Sequence, residues 1–254
     1  MGIRWVGSRT LAGVAAFGAL ARFLVETLCC SFRRPLQVHL WLRQLTHVGV
    51  ESIPVVLVTG AFTGMVLALQ TASAFRLFGA ENLVASVVSL SMVRELGPVL
   101  TGLMVAGRVG SAMAAELGTM RVTEQIDALH TLGTHPLHYL VVPRVWAATI
   151  SLPCLVVLSM GIGVLGGRLI ATSVLGTSPV VYDQRAVQFL SPEDLCVGFL
   201  KAALFGLLLA LVGCYQGYHV RGGAREVGFA VNRAVVWGIG GILGVNYLVT
   251  AAFF

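Results

Sequence analysis

Charged residues are scarce in this chain, and lysine is almost absent. Charged residues make up 11% of the 254 residues, and of the 17 basic residues only Lys201 is a lysine. Hydrophobic residues make up 57%, and the mean hydropathy is +0.87. A soluble domain carries about 25% charged residues, so this chain has too few polar side chains to cover a water-soluble surface. The composition predicts a protein embedded in a lipid bilayer.

Several motifs of nucleotide binding and catalysis are also missing. The sequence has no GxxxxGK[ST], HExxH or GxSxG motif, and its five cysteines form no CxxC pair. A GxGxxG match at Gly161–Gly166 lies inside an apolar run with no strand before it, so we interpret these glycines as helix-packing residues. The six histidines are scattered and predict no metal site. We therefore expect this chain to have no catalytic residues, no cofactor and no bound metal.

Five apolar segments are long enough to span a membrane, which takes about 20 helical residues. They are Ser52–Phe75, Asn82–Ala115, Val145–Gly167, Leu195–Tyr218 and Ala234–Phe254. We therefore predict an all-α, polytopic membrane protein that forms one domain over residues 1–254. As a single helix the second segment would be roughly 50 Å long, against a hydrocarbon core of about 30 Å. We expect it to tilt, or to bend at Gly97–Pro98.

Basic residues are unevenly distributed around the five segments. Arginines cluster before the first segment, between the second and third, and between the fourth and fifth. By the positive-inside rule the N-terminus is cytoplasmic and the C-terminus lies on the far side. We predict that residues 1–45 form a cytoplasmic segment with an interfacial helix at Arg22–Arg34, ended by Pro35, and that residues 46–254 form the transmembrane region. A signal peptide is the alternative, since Thr10–Ala21 is apolar and follows two arginines.

Glycine is abundant, with 30 residues, and it is clustered inside the apolar segments. Gly60–Gly64 is a GxxxG pattern, and further glycine strips follow at Gly161–Gly167 and Gly238–Gly244. Small residues at such spacings let helix backbones approach closely. The pattern leaves open whether the strips pack helices within one subunit or between two.

Three ionisable residues interrupt the apolar segments. Arg94 and Glu95 are adjacent in the second segment, and Lys201 lies in the fourth. An ionisable residue at membrane depth costs a few kcal/mol or more and indicates a functional site. From the residues alone, these charges could take part in binding or transport, or they could pair with one another and hold the fold.

The connection Gly118–Pro136, between the second and third segments, can form a short helix. Thr119 or Thr123 can cap this helix, and Glu124 would then lie in its early turns. Its polar residues could be solvated, or they could dock with a cytoplasmic partner. Composition alone does not decide between the two.

One long run in the middle of the chain resembles the signature of a known family. The run RELGPVLTGLMVAGRVGSAMAAELGTMRVTEQIDALHTLG, at Arg94–Gly133, resembles that of the MlaE/YrbE family of ABC transporter permeases, which serve MCE-protein lipid transport systems. The similarity extends to GAFTGMVLALQ at Gly60–Gln70, FGAEN at Phe78–Asn82 and VVPRVWAATISLP at Val141–Pro153. The resemblance implies an aspartate in some relatives at the position of Asn246.

The resemblance implies a phospholipid transporter. Permeases of this family form homodimers in the bacterial inner membrane and bind a cytoplasmic ABC ATPase, which uses the ATP, through a coupling helix. They support a hexameric ring of MCE-domain subunits in the periplasm, and a STAS-domain protein accompanies the ATPase in Gram-negative versions. Such complexes move phospholipids between the inner and outer membranes and maintain the lipid asymmetry of the outer membrane.

Two other classes of function are alternatives to phospholipid transport. An ion- or proton-coupled secondary transporter could use Arg94, Glu95 and Lys201 as a relay. A membrane-embedded enzyme would need a nucleophile or a metal cluster near the interface, and the sequence suggests neither.

On this chain the resemblance implies two sets of site residues. We expect the lipid phosphate to contact Arg94 and Lys201, with Glu95 paired to Arg94 when no lipid is bound. The acyl chains would lie against apolar residues near the dimer axis, namely Leu67, Phe75 and Phe78. The coupling helix would fall within Gly118–Leu132, and the ATPase-coupling residues would be Glu116, Met120, Arg121, Glu124, Gln125 and Asp127.

Overall fold

The computed structural model describes residues 2–31, 38–77, 79–80, 83–174 and 176–253, and within these ranges the regular structure is entirely helical. The α-helices, in chain order, are α1 Gly2–Ser31, α2 Val38–Val48, α3 Ile53–Arg76, α4 Val84–Ser91, α5 Gly97–Val105, α6 Ser111–Val122, α7 Gln125–Thr131, α8 Val142–Ser173, α9 Pro179–Gln188, α10 Pro192–Tyr218 and α11 Ala224–Phe253. One π-helical turn joins α4 to α5, a second joins α5 to α6, and a third precedes α8. The predicted all-α class is confirmed.

Five helical stretches are long and apolar enough to cross a membrane. They are His39–Arg76, Val84–Val122, Leu137–Ser173, Pro192–Tyr218 and Ala224–Phe253. The predicted number of spans is confirmed. The first stretch begins at His39 rather than Ser52, within the segment predicted to be cytoplasmic, the third extends beyond both of its predicted ends, and the fifth begins at Ala224 rather than Ala234. The third and fifth helices are longer because charged residues continue them: Arg144 and Arg168 lie within α8, and Arg225 and Arg233 lie within α11.

The second span passes Gly97–Pro98 without a break in the helix. The turn before this pair, Met92–Leu96, is π-helical, and the Gly97 N–H donates to the Met92 carbonyl. A π turn takes in one extra residue and is frequent at functional sites. Here it adjusts the hydrogen-bond ladder just before Pro98, which has no N–H to contribute.

Glycines bring α3 and α8 into backbone contact. A Cβ added at Gly64 would overlap the backbone of Gly163, and one added at Gly166 would lie 2.6 Å from the Ala61 carbonyl oxygen. The glycine strips of the first and third spans therefore pack helices within the subunit. In contrast, Gly240 and Gly244 on α11 are exposed, and an added Cβ at either would meet nothing within 4 Å.

The N-terminal helix is longer than predicted. It covers Gly2–Ser31 rather than beginning at Arg22, so the apolar stretch that resembled a signal peptide is part of it. Phe23 is buried against the end of α10, with its ring 5.5 Å from that of Tyr215 and 6.0 Å from that of Tyr218. Pro35, predicted to end the helix, lies outside the described residues, and an interfacial position for α1 stays a prediction.

At the opposite end of the bundle, the short helix α9 folds back onto α4 and α8. The hydroxyls of Ser86 and Ser89 on α4 donate to the carbonyls of Arg185 and Ala186, at 2.9 and 2.7 Å. Tyr182 of α9 is buried, and this burial raises the pKa of its phenol to about 12. The connection between α8 and α10 is therefore fixed to the spans at this end.

Candidate functional site

Lys201 is the centre of a cluster of polar groups inside the bundle. It lies on α10, the most buried of the five candidate spans, and its side chain is fully buried. Its ammonium group donates to Glu95 Oε1 at 2.8 Å, to the Arg94 carbonyl at 3.0 Å and to Thr250 Oγ1 at 2.8 Å. An ammonium has three protons to donate, so these three acceptors satisfy the buried charge.

The Glu95 carboxylate is bound by side chains from two other helices, α10 and α11. Besides Lys201, Thr250 Oγ1 donates to its Oε1 at 2.9 Å and Asn246 Nδ2 donates to its Oε2 at 2.8 Å. Its side chain is nevertheless 38% exposed, so the carboxylate is reachable from outside the subunit. The network joins the second, fourth and fifth spans around one accessible anion.

Pro98 explains why the Arg94 carbonyl is able to accept a hydrogen bond from Lys201. In an α-helix this carbonyl would accept from the N–H four residues later, and proline has none. The Lys201 ammonium donates to that carbonyl. The proline and the preceding π turn thus supply a main-chain acceptor to the cluster, in addition to the Glu95 side chain.

Arg94 pairs with a residue that the sequence prediction missed. Its Nε donates to Asp194 Oδ1 at 2.7 Å, and the Asp194 side chain is buried. Asp194 also forms a capping box with Ser191 at the start of α10. The expected pairing of Glu95 with Arg94 is wrong, because successive residues of a helix point in different directions and the carboxylate of Glu95 faces Lys201 instead.

Two of the three predicted acyl-chain residues, Leu67 and Phe75, pack in one apolar group between the first and second spans. Leu67 and Phe75 are half-buried in a group that includes Leu96 and the buried side chains of Val88 and Met92. Phe78 lies outside the described residues. A separate apolar cavity of about 240 Å³, between α3 and α8, is lined by other residues, namely Ala61, Met65, Ile162, Leu165, Gly166 and Leu169.

The predicted coupling segment is a helix end, a turn and a short helix. The helix α6 ends at Val122, Glu124 adopts a left-handed conformation with φ of 59°, and α7 follows. Thr119 and Thr123 cap nothing here, because their hydroxyls donate back to carbonyls four residues earlier, at 2.8 and 2.9 Å. The fully buried Ile126 anchors α7 to the main hydrophobic core.

Three of the six predicted coupling residues, Glu116, Arg121 and Asp127, are engaged in ion pairs within the chain. Glu116 accepts from Arg144 of α8 at 2.9 Å, and Arg121 donates to Asp127 of α7 at 2.6 Å. Met120 packs against the core, half-buried. The remaining two residues, Glu124 and Gln125, are exposed at the tip of the turn and are available to a partner.

Five candidate membrane spans, three of them joined by an ionic network with one part-exposed carboxylate, define a polytopic membrane protein. The geometry does not specify which kind. A family model described as "Permease MlaE" matches residues 41–252. The chain belongs to this permease family.

Individual relatives agree with the family model. The chain is 47% identical to a probable ABC transporter permease protein of Rickettsia felis over 249 residues, which cover 98% of this chain and 96% of the relative. It is 36% identical to the intermembrane phospholipid transport system permease protein MlaE of Haemophilus influenzae, over 85% of this chain and 83% of the relative. It is 37% identical to the chloroplastic protein TRIGALACTOSYLDIACYLGLYCEROL 1 of Arabidopsis thaliana, over 84% of this chain and 61% of the relative.

Proposed function

We propose that this chain is the inner-membrane permease subunit of an ABC transporter that moves phospholipids between the inner and outer membranes and maintains outer-membrane lipid asymmetry. The observation that carries the proposal is the accessible ionic cluster of Arg94, Glu95 and Lys201 in a chain of the MlaE permease family. A secondary transporter that uses the same charges is not favoured, because the relatives are named as ABC transporter permeases.

Within the cluster the two cations have different roles. The Arg94 side chain is 35% exposed, whereas Lys201 is fully shielded by its three acceptors. A guanidinium is also suited to bidentate phosphate binding. Arg94 is therefore the first contact of the lipid phosphate, and Lys201 holds the Glu95 carboxylate and the π turn in place. Leu67 and Phe75 line the path of the acyl chains.

A homodimer would complete the lipid site. The exposed Gly240 and Gly244 of α11 allow a second helix to approach closely, and Asn246 and Thr250 of the cluster follow on the same helix. At about 100° of rotation per residue these two pairs lie on different faces of α11, so the glycine face can contact the second subunit while the Glu95 side borders a shared cavity.

The energy for transport comes from a separate ATPase. The sequence has no phosphate-binding loop for ATP, and Glu124 and Gln125 form the exposed tip of the turn proposed to dock into the ATPase. With this turn in the cytoplasm, the N-terminus is cytoplasmic and the C-terminus periplasmic. The far end, which carries α9, faces a hexamer of MCE-domain subunits, and a STAS-domain protein accompanies the ATPase.

Reconstitution tests the lipid role of Arg94. Arg94→Ala should assemble normally, yet lose photocrosslinking to phospholipid and lipid transfer in proteoliposomes that contain the whole complex. Arg233→Ala is the matched control, because this arginine is exposed on α11 outside the cluster. An Arg94→Ala complex that crosslinks and transfers lipid as well as wild type contradicts the assignment.

Charge reversal tests the coupling turn. Glu124→Lys should weaken co-purification of the ATPase, since losing one partner of a buried interfacial pair costs about 2–5 kcal/mol; Glu193→Lys, at the far end of the bundle, should not. Arg121→Glu should also impair coupling, and the swap Arg121→Glu/Asp127→Arg should restore it by rebuilding the internal pair. Normal ATPase binding and normal lipid transfer in both single reversals would refute the coupling role.

A further inference from the structure

A polar cavity of about 210 Å³ lies between the turn that joins α6 to α7 and the turn that joins α10 to α11. Its walls carry two guanidinium groups, two imidazoles, a phenol and one carboxylate, from Arg121, Arg221, His130, His219, Tyr218 and Asp127. The cavity is at the end of the spans, separate from the ionic cluster around Lys201. The helix proposed to couple to the ATPase, α7, forms part of one wall.

The charges around this cavity favour an anion. Its single carboxylate, Asp127, is already engaged by Arg121 at 2.6 Å. Arg221 is exposed and makes no ion pair with any residue in the described part of the chain. One guanidinium therefore remains uncompensated even before the histidines are counted, and arginine is the residue best suited to bind a phosphate group.

The two walls of the cavity are held in different ways. His219 Nδ1 donates to the Tyr215 carbonyl at 3.0 Å, and its ring lies 5.7 Å from that of Phe23, so α1 and α10 fix its position. On the other side, α7 is anchored by the buried Ile126 and is joined to α6 through a left-handed residue and through the Arg121–Asp127 pair. A ligand that takes Arg121 would release Asp127 and leave Ile126 to hold the start of α7.

We propose that this cavity binds a phosphate group, supplied by the head group of an anionic phospholipid or by free phosphate, in contact with Arg221 and Arg121. The position supports the lipid source, because α6 and α10 end here as membrane spans and head groups lie at this level. The volume holds several groups the size of a water molecule, at about 30 Å³ each. Binding exchanges Asp127 for phosphate at Arg121, so α7 responds to the lipid beside it.

Hydrogen exchange on the intact permease tests this site without requiring transport or an ATPase. The amides of α7 are compared in nanodiscs of phosphatidylcholine, in nanodiscs containing phosphatidylglycerol, and in phosphatidylcholine nanodiscs with added inorganic phosphate. We expect phosphatidylglycerol to accelerate exchange in α7 about tenfold or more, the factor that corresponds to losing one charge-assisted hydrogen bond. Acceleration by inorganic phosphate as well identifies a site that also accepts the free anion.

Two variants make the test specific. Arg221→Gln should abolish the response of α7, whereas Arg225→Gln, on the neighbouring turn and in contact with the Phe229 ring rather than the cavity, should keep it. Asp127→Asn should show fast exchange in phosphatidylcholine alone, because its bond to Arg121 is already weakened.

Two results would overturn the proposal. The first is unchanged exchange with both probes, and the second is an equal response in Arg221→Gln and Arg225→Gln. If the first result is accompanied by loss of ATPase binding in Arg221→Gln, the cavity receives an acidic side chain of the partner rather than a phosphate.

Discussion

Replacing Lys201 with methionine removes the buried cation around which the ionic cluster is built. Methionine keeps a long, flexible side chain and so fills most of the same volume. The change deprives Glu95 of its counter-charge, and it removes the ammonium that donates to the Arg94 carbonyl in place of the N–H that Pro98 lacks. Thr250 loses its donor as well, although its own bond to Glu95 can remain.

The expected cost follows from the burial of the two partners. Removing one member of a buried ion pair costs about 3–5 kcal/mol. Glu95 is 38% exposed and keeps its bonds to Asn246 and Thr250, which places the loss at the lower end. We expect Lys201→Met to lower the free energy of unfolding by about 3 kcal/mol.

Denaturant unfolding in mixed micelles measures this loss, and a double-mutant cycle assigns it. Glu95→Gln alone leaves the buried ammonium without its anion and should cost as much as Lys201→Met. The double variant removes both charges and should cost less than the sum of the two, with a coupling of about 2 kcal/mol. Arg233→Met, on an exposed part of α11, should change stability by less than about 0.5 kcal/mol.

Two outcomes would refute this reasoning. If Lys201→Met unfolds at the same denaturant concentration as wild type, the lysine is not the structural centre of the cluster. If the two single changes add without coupling, Lys201 and Glu95 do not act as a pair, and the 2.8 Å contact between them contributes nothing to stability.

Three further changes test other parts of the fold by the same unfolding measurement. Gly64→Ala should destabilise the fold by about 3 kcal/mol or more because the added Cβ overlaps the facing backbone of Gly163. Gly161→Ala, with open space around it, should be tolerated. Equal stability of these two variants would contradict the close packing of α3 and α8. Asn246→Asp should destabilise by replacing a donor to Glu95 with a second carboxylate, and unchanged stability would contradict this contact. Arg144→Met should cost about 2 kcal/mol because a buried carbonyl loses its charged donor; no loss would count against that bond.

The five spans could be predicted because the signal for a membrane helix lies along the chain. A run of about 20 apolar residues must form internal hydrogen bonds in lipid, whatever its neighbours are. The ends were predicted less well. Arg144 and Arg168 appeared to stop α8 in the sequence, yet both have carboxylate partners, in Glu116 and Asp183, that let the helix continue.

The ionic cluster could be predicted only in part. Arg94, Glu95 and Lys201 stand out as charges in apolar segments, but their partners depend on which helices lie side by side. Asp194 sits at the head of α10, where an acidic residue in the first turn is common. Thr250 is an ordinary polar residue of α11. Nothing in the sequence near either residue indicates that it contacts the second span.

The prediction for the coupling turn differs from the structure in another respect. A short helix, α7, lies within the predicted bounds Gly118–Leu132, and its coupling role stays a prediction. The predicted threonine caps are wrong because in α6 a threonine hydroxyl can donate to the carbonyl one turn back. A left-handed Glu124 provides the reversal instead, and a non-glycine residue at positive φ has no reliable sequence signal.

The second span carries both sites on one continuous helix. Arg94 and Glu95 lie in its first π turn, Arg108 lies in its second, and Arg121 lies at its end beside α7. Arg108 also donates to Ser52 and Glu51, in the turn between α2 and α3 of the first span, at 2.7 and 3.0 Å. A displacement of α7 that reaches Glu95 along this helix must therefore pass a π turn that is fixed to the first span. The π turns are the positions where the backbone ladder changes register, so they are where such a displacement would be absorbed or transmitted.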